Sequence, residues 1–175
     1  MRVVISLKIR VCRTFQPALS AAASTLAGTR KVKALAPWAF ALALALTAQQ
    51  GHACTLNVTG VNFGSYDVFS NAALDSTGNI NVNCPSGVGY SIALSAGGGT
   101  QTQRLMNIGA HALNYNLYTG SNRALVWGDA TGGTVTINGT GNGVTVNYGV
   151  YGRIPALQNV HSGSYSDIVT VVLTF

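Results

Sequence analysis

Charge is nearly absent from most of this 175-residue chain. There is no glutamate, the acids are Asp67, Asp75, Asp129 and Asp167, and all three lysines (Lys8, Lys31, Lys33) precede Cys54. From Cys54 onward, Arg104, Arg123 and Arg153 stand against four aspartates, a net charge of −1, although the whole chain is formally +6. The basic balance therefore belongs to the front of the chain. It gives no ground for a nucleic-acid or anionic-membrane partner.

Catalytic side chains are equally scarce. Beyond Cys54 the histidines are His111 and His161. Asp129 or Asp167 could join His161 and a serine in a triad, but no G-x-S-x-G elbow accompanies them. The cysteines of this stretch lie 30 positions apart and the histidines 50, without companions at metal-ligand spacing. The run Gly139-Thr140-Gly141-Asn142-Gly143 lacks the lysine and following helix of a phosphate loop, and reads as a hairpin turn. No cofactor is expected, and an enzyme is the least supported class. The apolar 3.6-residue spacing of an amphipathic helix is also missing.

What is present begins with an export signal. Residues 30–53 contain a basic flank (Arg30, Lys31, Lys33), an apolar core from Ala34 to Ala48, and small residues at Gly51 and Ala53. That order is the secretory pattern, with cleavage expected after Ala53. The core is shorter than the roughly 20 residues a spanning helix needs and carries Pro37, so no stable membrane anchor is expected. Gly51 stands where a lipidation signal prefers Leu. Residues 1–29 read as an extended leader or as the product of an upstream start codon. The expected organisation is a removed leader, 1–53, and one domain, 54–175, which is long enough for a real core. That domain holds 19 of the 21 glycines.

Two cysteines, Cys54 and Cys84, remain in an exported stretch, which reads as a disulfide or, alternatively, as two buried thiols. Strand-like alternation sets the rest. Cys54, Leu56 and Val58 share one face, and Ile80, Val82 and Cys84 another, opposite Asn79, Asn81 and Asn83. Both cysteines thus fall on the inward phase. Alternation continues through Tyr90, Ile92 and Leu94, then Leu113, Tyr115 and Leu117, then Val144, Val146, Tyr148 and Val150. Turn clusters at 96–99 and 129–133 punctuate these runs. Short strands without helices indicate an all-β sandwich.

The run Asp167–Phe175 places Val169, Val171, Leu173 and Phe175 on one face, with Ile168, Thr170, Val172 and Thr174 on the other. Such a bare apolar strand is an edge hazard. Two arrangements remain open: a central strand covered on both sides, or the border of a groove that receives a strand from another chain. The three arginines are expected to pair with aspartates or backbone carbonyls. Trp127 and the tyrosines read as core, with a sugar-binding face as the alternative.

A set of local motifs occurs in a fixed order: an opening cysteine, VNFGSYD at 61–67, GNINVNC at 78–84, GYSIALSAGG at 89–98, and RLM at 104–106. LNYNLYT at 113–119, WGD at 127–129 and GSYSDIVTVVLTF at 163–175 complete it. Taken together, residues 54–175 resemble the spore coat protein U (SCPU) domain family, which includes subunits of archaic chaperone–usher pili. The resemblance implies an incomplete immunoglobulin-like β-sandwich completed by a donated strand. It implies a structural pilus subunit, assembled by strand exchange and supporting adhesion and biofilm. The implied partners are a periplasmic chaperone, an outer-membrane usher and neighbouring subunits, with passage through the periplasm to the cell surface. Leu56, Val58, Val169, Val171, Leu173 and Phe175 would line the acceptor groove. Polymerising pilins of the family carry a donor strand before the first cysteine. A chain cut after Ala53 would have none, and would accept a strand without donating one. A secreted coat or matrix protein with a self-contained sandwich is the alternative, as is a sugar-binding tip module.

Overall fold

The structure, a computed structural model, describes residues 2–12 and 53–175. The candidate signal segment, apart from Ala53, lies outside the described residues. Ten strands and no helix are found among them: β1 (Arg2–Cys12), β2 (Thr55–Thr59), β3 (Val61–Ser65), β4 (Leu74–Asn83), β5 (Gly89–Leu94), β6 (Arg104–Ile108), β7 (His111–Tyr118), β8 (Ile137–Thr140), β9 (Val146–Ile154) and β10 (Tyr165–Thr174).

Alternation explains the larger elements. In β4, Ile80 and Val82 are buried while Asn79 is exposed, as a half-buried strand requires. β5 buries Tyr90, Ile92 and Leu94; β7 buries Leu113, Tyr115 and Leu117; β10 buries Tyr165, Val169, Val171 and Leu173. All belong to one core cluster with Trp127, Met106, Val150 and Ile154.

Two hydrogen-bonded layers enclose that core. In the first, β2 pairs with β4 and β4 with β9, all antiparallel. In the second, β1 lies between β3 and β10, while the far side of β10 is shared by β6 near its start and β5 near its end. β8 edges β5. The layers are joined through β7, whose first half pairs with β6 and whose last residues, Asn116–Tyr118, pair with β9.

Two local expectations are corrected. The Gly139–Gly143 run does not close a hairpin, because β8 pairs with β5 and β9 with β4, in opposite layers. It is a crossing that threads past residues 84–88: Gly87 N donates to Gly141 O at 2.9 Å, Gly141 N to Val88 O at 2.7 Å, and Gly143 N to Cys84 O at 3.0 Å. A side chain at Gly141 would collide with the carbonyls of Cys84 and Pro85, so glycine is needed for close approach, not for a tight turn. Val144 lies before β9 and is 63% exposed, since the strand begins only at Val146.

The disulfide forms as its phase suggested. Thr55 and Asn83 are register partners, and one step further Cys54 and Cys84 are bonded, Cα–Cα 4.3 Å, both buried. Closing a loop of this length contributes about 3–4 kcal/mol in the chain-entropy treatment.

Candidate functional site

The feature that sets this sandwich apart is the seam between β3 and β10. These strands are not partners of each other; within residues 53–175 each turns an unpaired backbone edge towards the other. β1 fills the space. It runs parallel to β10 in an unbroken register from Val3↔Tyr165 to Cys12↔Thr174, and antiparallel to β3 from Arg2↔Ser65 to Ile5↔Val61, with a bulge at Val3/Val4.

The walls are built by alternation on both sides. Val169, Val171 and Leu173 of β10 are wholly buried, as is Val61 of β3, with Phe63 nearly so. β3 reaches this layer because the chain leaves the other one at Gly60, directly after β2. At that corner the backbones touch: a Cβ on Gly78 of β4 would stand 2.5 Å from Thr59 O and 3.0 Å from a Val61 methyl. The Phe63 ring lies on Gly152 of β9, where an added Cβ would be 3.1 Å from ring carbon Cε1. Glycines in the opposite layer thus leave the room into which β3 packs.

β10 is held from its far side by polar anchors. Ser95 N donates to Thr170 O at 3.0 Å, and Thr170 N donates to Ser95 Oγ at 2.9 Å. The Ser95 carbonyl accepts from Nε and Nη2 of Arg104, at 3.1 and 3.0 Å. Arg104 is fully buried, and its guanidinium also donates to Trp127 O, Gln101 Oε1 and Asn116 Oδ1. Burial pulls its pKa down, while the nearby Tyr115 and Asp167 push it back up. Five donors in a fixed fork suit a cluster of carbonyls, and full satisfaction makes a buried cation tolerable. Asp167 accepts from Gly98 N at 3.0 Å and from the Tyr115 hydroxyl at 2.5 Å. Burial, then this bond to a carboxylate, raises the Tyr115 pKa.

The sequence-derived groove residues divide between the two layers. Val169, Val171 and Leu173 lie on β10 beside β1. Leu56 and Val58 lie half-buried on β2, in the opposite layer, and Phe175 lies half-buried just past β10. Val61 and Phe63, the second wall, were not anticipated, although VNFGS carries their alternation. β1 was not anticipated either: Val3, Ile5, Leu7, Ile9 and Val11 alternate with Ser6, Lys8 and Arg10, but that segment reads first as leader.

The remaining candidates fall elsewhere. His161 stacks on His111, ring centroids 4.8 Å apart, while Asp129 is bonded to Thr131 and Asp167 to Tyr115, so the imagined triad members are not brought together. Trp127 is fully buried with its N–H on Ile92 O at 3.0 Å, and offers no face to a sugar. Arg153 makes two bonds to Asp75, at 2.8 and 2.9 Å, with Arg123 Nε 3.1 Å from the same carboxylate. The arginines pair as expected.

Residues 40–172 match the Spore Coat Protein U domain family. "Protein U" of Myxococcus xanthus is 33% identical over 146 residues, an alignment spanning 73% of this chain and 80% of that protein. Among solved structures, a chain of the CsuC–CsuE chaperone–tip adhesion subunit pre-assembly complex, from archaic chaperone–usher Csu pili of Acinetobacter baumannii, is similar with a TM-score of 0.53 and 22% identity. The match covers 70% of this chain and 40% of that one, so this chain spans less than half the length of the relative, and the likeness is one of fold. With most of its length matched and Protein U so similar, the chain belongs to the Spore Coat Protein U domain family.

Proposed function

We propose that this chain is a structural subunit of a chaperone–usher type pilus, whose domain at 54–175 accepts a strand from another protein and thereby joins a surface fibre. The observation that carries this reading is the seam itself. Without β1, two backbone edges and the buried side chains Val61, Phe63, Val169, Val171 and Leu173 lie along one gap. Unpaired backbone rows beside an apolar trough are costly in water, and a strand from another chain satisfies both at once. The fold shared with a chain of a chaperone–subunit complex supports the same reading.

The sequence of events would be export on the segment at 30–53, loss of residues 1–53, capture by a periplasmic chaperone, passage to an outer-membrane usher, and exchange for a neighbouring subunit's strand. Adhesion and biofilm formation would follow from the fibre. Leu56, Val58 and Phe175, with the β10 residues, would line the acceptor site. A secreted coat protein is the second reading, favoured by the similarity to Protein U.

Capture tests this. The chain with its own leader is co-expressed with a periplasmic chaperone of the chaperone–usher class, and complexes are recovered from the periplasm. Val171→Asp or Leu173→Asp is expected to abolish recovery, because each places a charge in the trough. Ile168→Asp, on the half-exposed opposite face, is expected to retain it. Normal capture by both groove variants would reject the assignment.

A further inference from the structure

Away from the seam, the outer face of the β2–β4–β9–β7 layer presents amides, hydroxyls and two tyrosines, with no aliphatic side chain at its outward positions. We infer that this face is a docking platform for an acidic polysaccharide, a chain of uronic-acid sugars whose rings lie on Tyr118 and Tyr151 and whose carboxylates meet Arg123 and Arg153. Nothing in the platform depends on the β3/β10 seam, so it holds whether or not the chain joins a fibre.

The seven tyrosines divide by environment. Five have hydroxyls bonded within the protein: Tyr66 on Pro155 O, Tyr90 with Tyr148, Tyr115 on Asp167 and Tyr165 on His161 O. Among the described residues, Tyr118 and Tyr151 are the two without such a bond. They are register partners, so they stand side by side on the outer face, half-buried. The Tyr151 ring leans along its strand over Gly149, where an added Cβ would lie 3.0 Å from Cε2, Cζ and the hydroxyl. Glycine thus leaves the ring a place against the sheet. An apolar ring with a polar tip suits a sugar, which offers C–H groups on one side and hydroxyls at its rim.

Beside the rings stand rows of amides. Asn57, Asn81 and Asn147 are partners across three strands, and Asn147 Nδ2 donates to Asn81 Oδ1 at 2.6 Å. Asn79 occupies the next row, between Thr59 and Gly149. Each amide has two donors and an acceptor, so capacity remains for sugar hydroxyls. Asp75 to Asn83 is 83 − 75 = 8 steps of β4, roughly 26 Å at about 3.3 Å each, room for an oligosaccharide and not only one sugar. Without aliphatic side chains the face lacks the apolar centre of a protein interface. Nucleic acid would need more phosphate contacts than two arginines supply.

Charge identifies the class of sugar. Of the three arginines after Cys54, Arg104 is sealed in the core, which leaves Arg123 and Arg153 as the partly exposed cations of residues 53–175. Both lie against one carboxylate, that of Asp75, at one end of this face. Hydrogen bonding from Arg153 holds the Asp75 pKa low, so the aspartate stays charged and the cluster keeps a surplus of one positive charge. Arg123 Nε stands 3.1 Å from Asp75 Oδ1 without being aligned to donate to it, a buried nitrogen with no hydrogen-bond partner. Arg123 also holds a left-handed backbone, φ 54, uncommon outside glycine and asparagine. Such strain persists where its surroundings impose it, and it clusters at ligand sites. The planar guanidinium fork matches a carboxylate.

The test titrates the chain, expressed with its own leader and purified from the fraction in which it accumulates, with galacturonate oligosaccharides by calorimetry. Binding is expected. It should weaken on the order of tenfold or more in Tyr118→Ala, Tyr151→Ala and Arg123→Gln, and when the sugar carboxylates are reduced to alcohols. Ile168→Ser, exposed on the other layer, should bind as the unaltered chain does. No binding of the uronate would overturn the platform, and equal binding of the reduced sugar would overturn its acidic class. Polyglutamate of matched charge bound as tightly as the uronate would reduce the face to a patch of positive charge and overturn the saccharide. Because a variant can fail to fold, side-chain amide signals of the isotope-labelled unaltered chain give a second readout. Those of Asn79, Asn81 and Asn147 are expected to shift with the oligosaccharide, while those of Asn107, Asn138 and Asn159, exposed elsewhere, stay in place. Shifts confined to the latter three would overturn the assignment. A chain that binds the sugar but is never captured by a chaperone loses only the pilus reading.

Discussion

On one flank of the domain β2 lies antiparallel on β4 and is bonded to its neighbour by Cys54–Cys84, a closure spanning 30 residues of sequence. On the other flank β3 and β10 meet only through β1, a parallel partner drawn from the far end of the chain. Both flanks bury similar side chains, valines and leucines at alternate positions. They differ in what holds them: a covalent link on one side, and on the other a strand paired only through backbone hydrogen bonds and packing. On the strand-acceptor reading proposed above, the disulfide-bonded side would keep the half-sandwich folded while the other exchanges its last strand.

That contrast can be broken from either side. The largest effect is expected from Arg104→Met, which leaves the carbonyls of Ser95 and Trp127 and the Asn116 side chain without their buried donors. At about 1–3 kcal/mol for each of these three groups, the loss should be roughly 3–9 kcal/mol by urea unfolding. Because Ser95 also holds Thr170, the loss should appear as faster amide exchange in β10 before β4. Replacing both cysteines by serine should cost less, about 3–4 kcal/mol. If the flanks are separable, the serine variant should still be captured by the chaperone at a temperature where it is folded. Loss of capture there would make the two flanks one unit.

The smallest effect concerns pH. The Tyr90 hydroxyl meets that of Tyr148 at 2.7 Å, and burial, with that contact, raises its pKa to about 12. An unfolded tyrosine loses its proton near pH 10, so between about pH 10 and 12 only the unfolded chain gains by ionising. Stability conferred by neutral Tyr90 is complete below pH 10 and falls across that window. Tyr90→Phe should flatten the decline, measured as unfolding midpoints from pH 9 to 12, and an identical slope would contradict the assignment.

The parts that could be read in the sequence are those written in local periodicity. The alternations of 54–58, 80–84, 90–94, 113–117 and 167–175 became five of the strands, and the phase of Cys54 and Cys84 placed both sulfurs inward. The wall formed by Val169, Val171 and Leu173 was visible for the same reason. What escaped depends on pairing between distant segments. β3 follows β2 after one glycine yet joins the opposite layer, and a five-residue strand containing Gly64 carries too few positions to announce itself. β6 and β8 are similarly short. β1 alternates clearly, but its place upstream of a candidate export signal directs the reading towards removal. The Gly139–Gly143 run misled because glycine permits close passage as readily as a turn. Arg104 was expected to find carbonyls; its complete burial was not legible, since arginines are seldom wholly buried and only the convergence of two loops and β7 on β6 makes it possible.

The account turns on whether the β3/β10 seam is an exchangeable site. The most direct measurement is amide hydrogen exchange of the chain recovered from the periplasm with its chaperone, compared with the same chain after the chaperone is stripped away. The account predicts that residues 61–65 and 165–174 are protected in the complex and lose protection on release, while 79–83 and 146–152 stay protected in both. Unchanged protection of β10 after release would contradict it, and would make the domain from Cys54 onward a sandwich complete in itself.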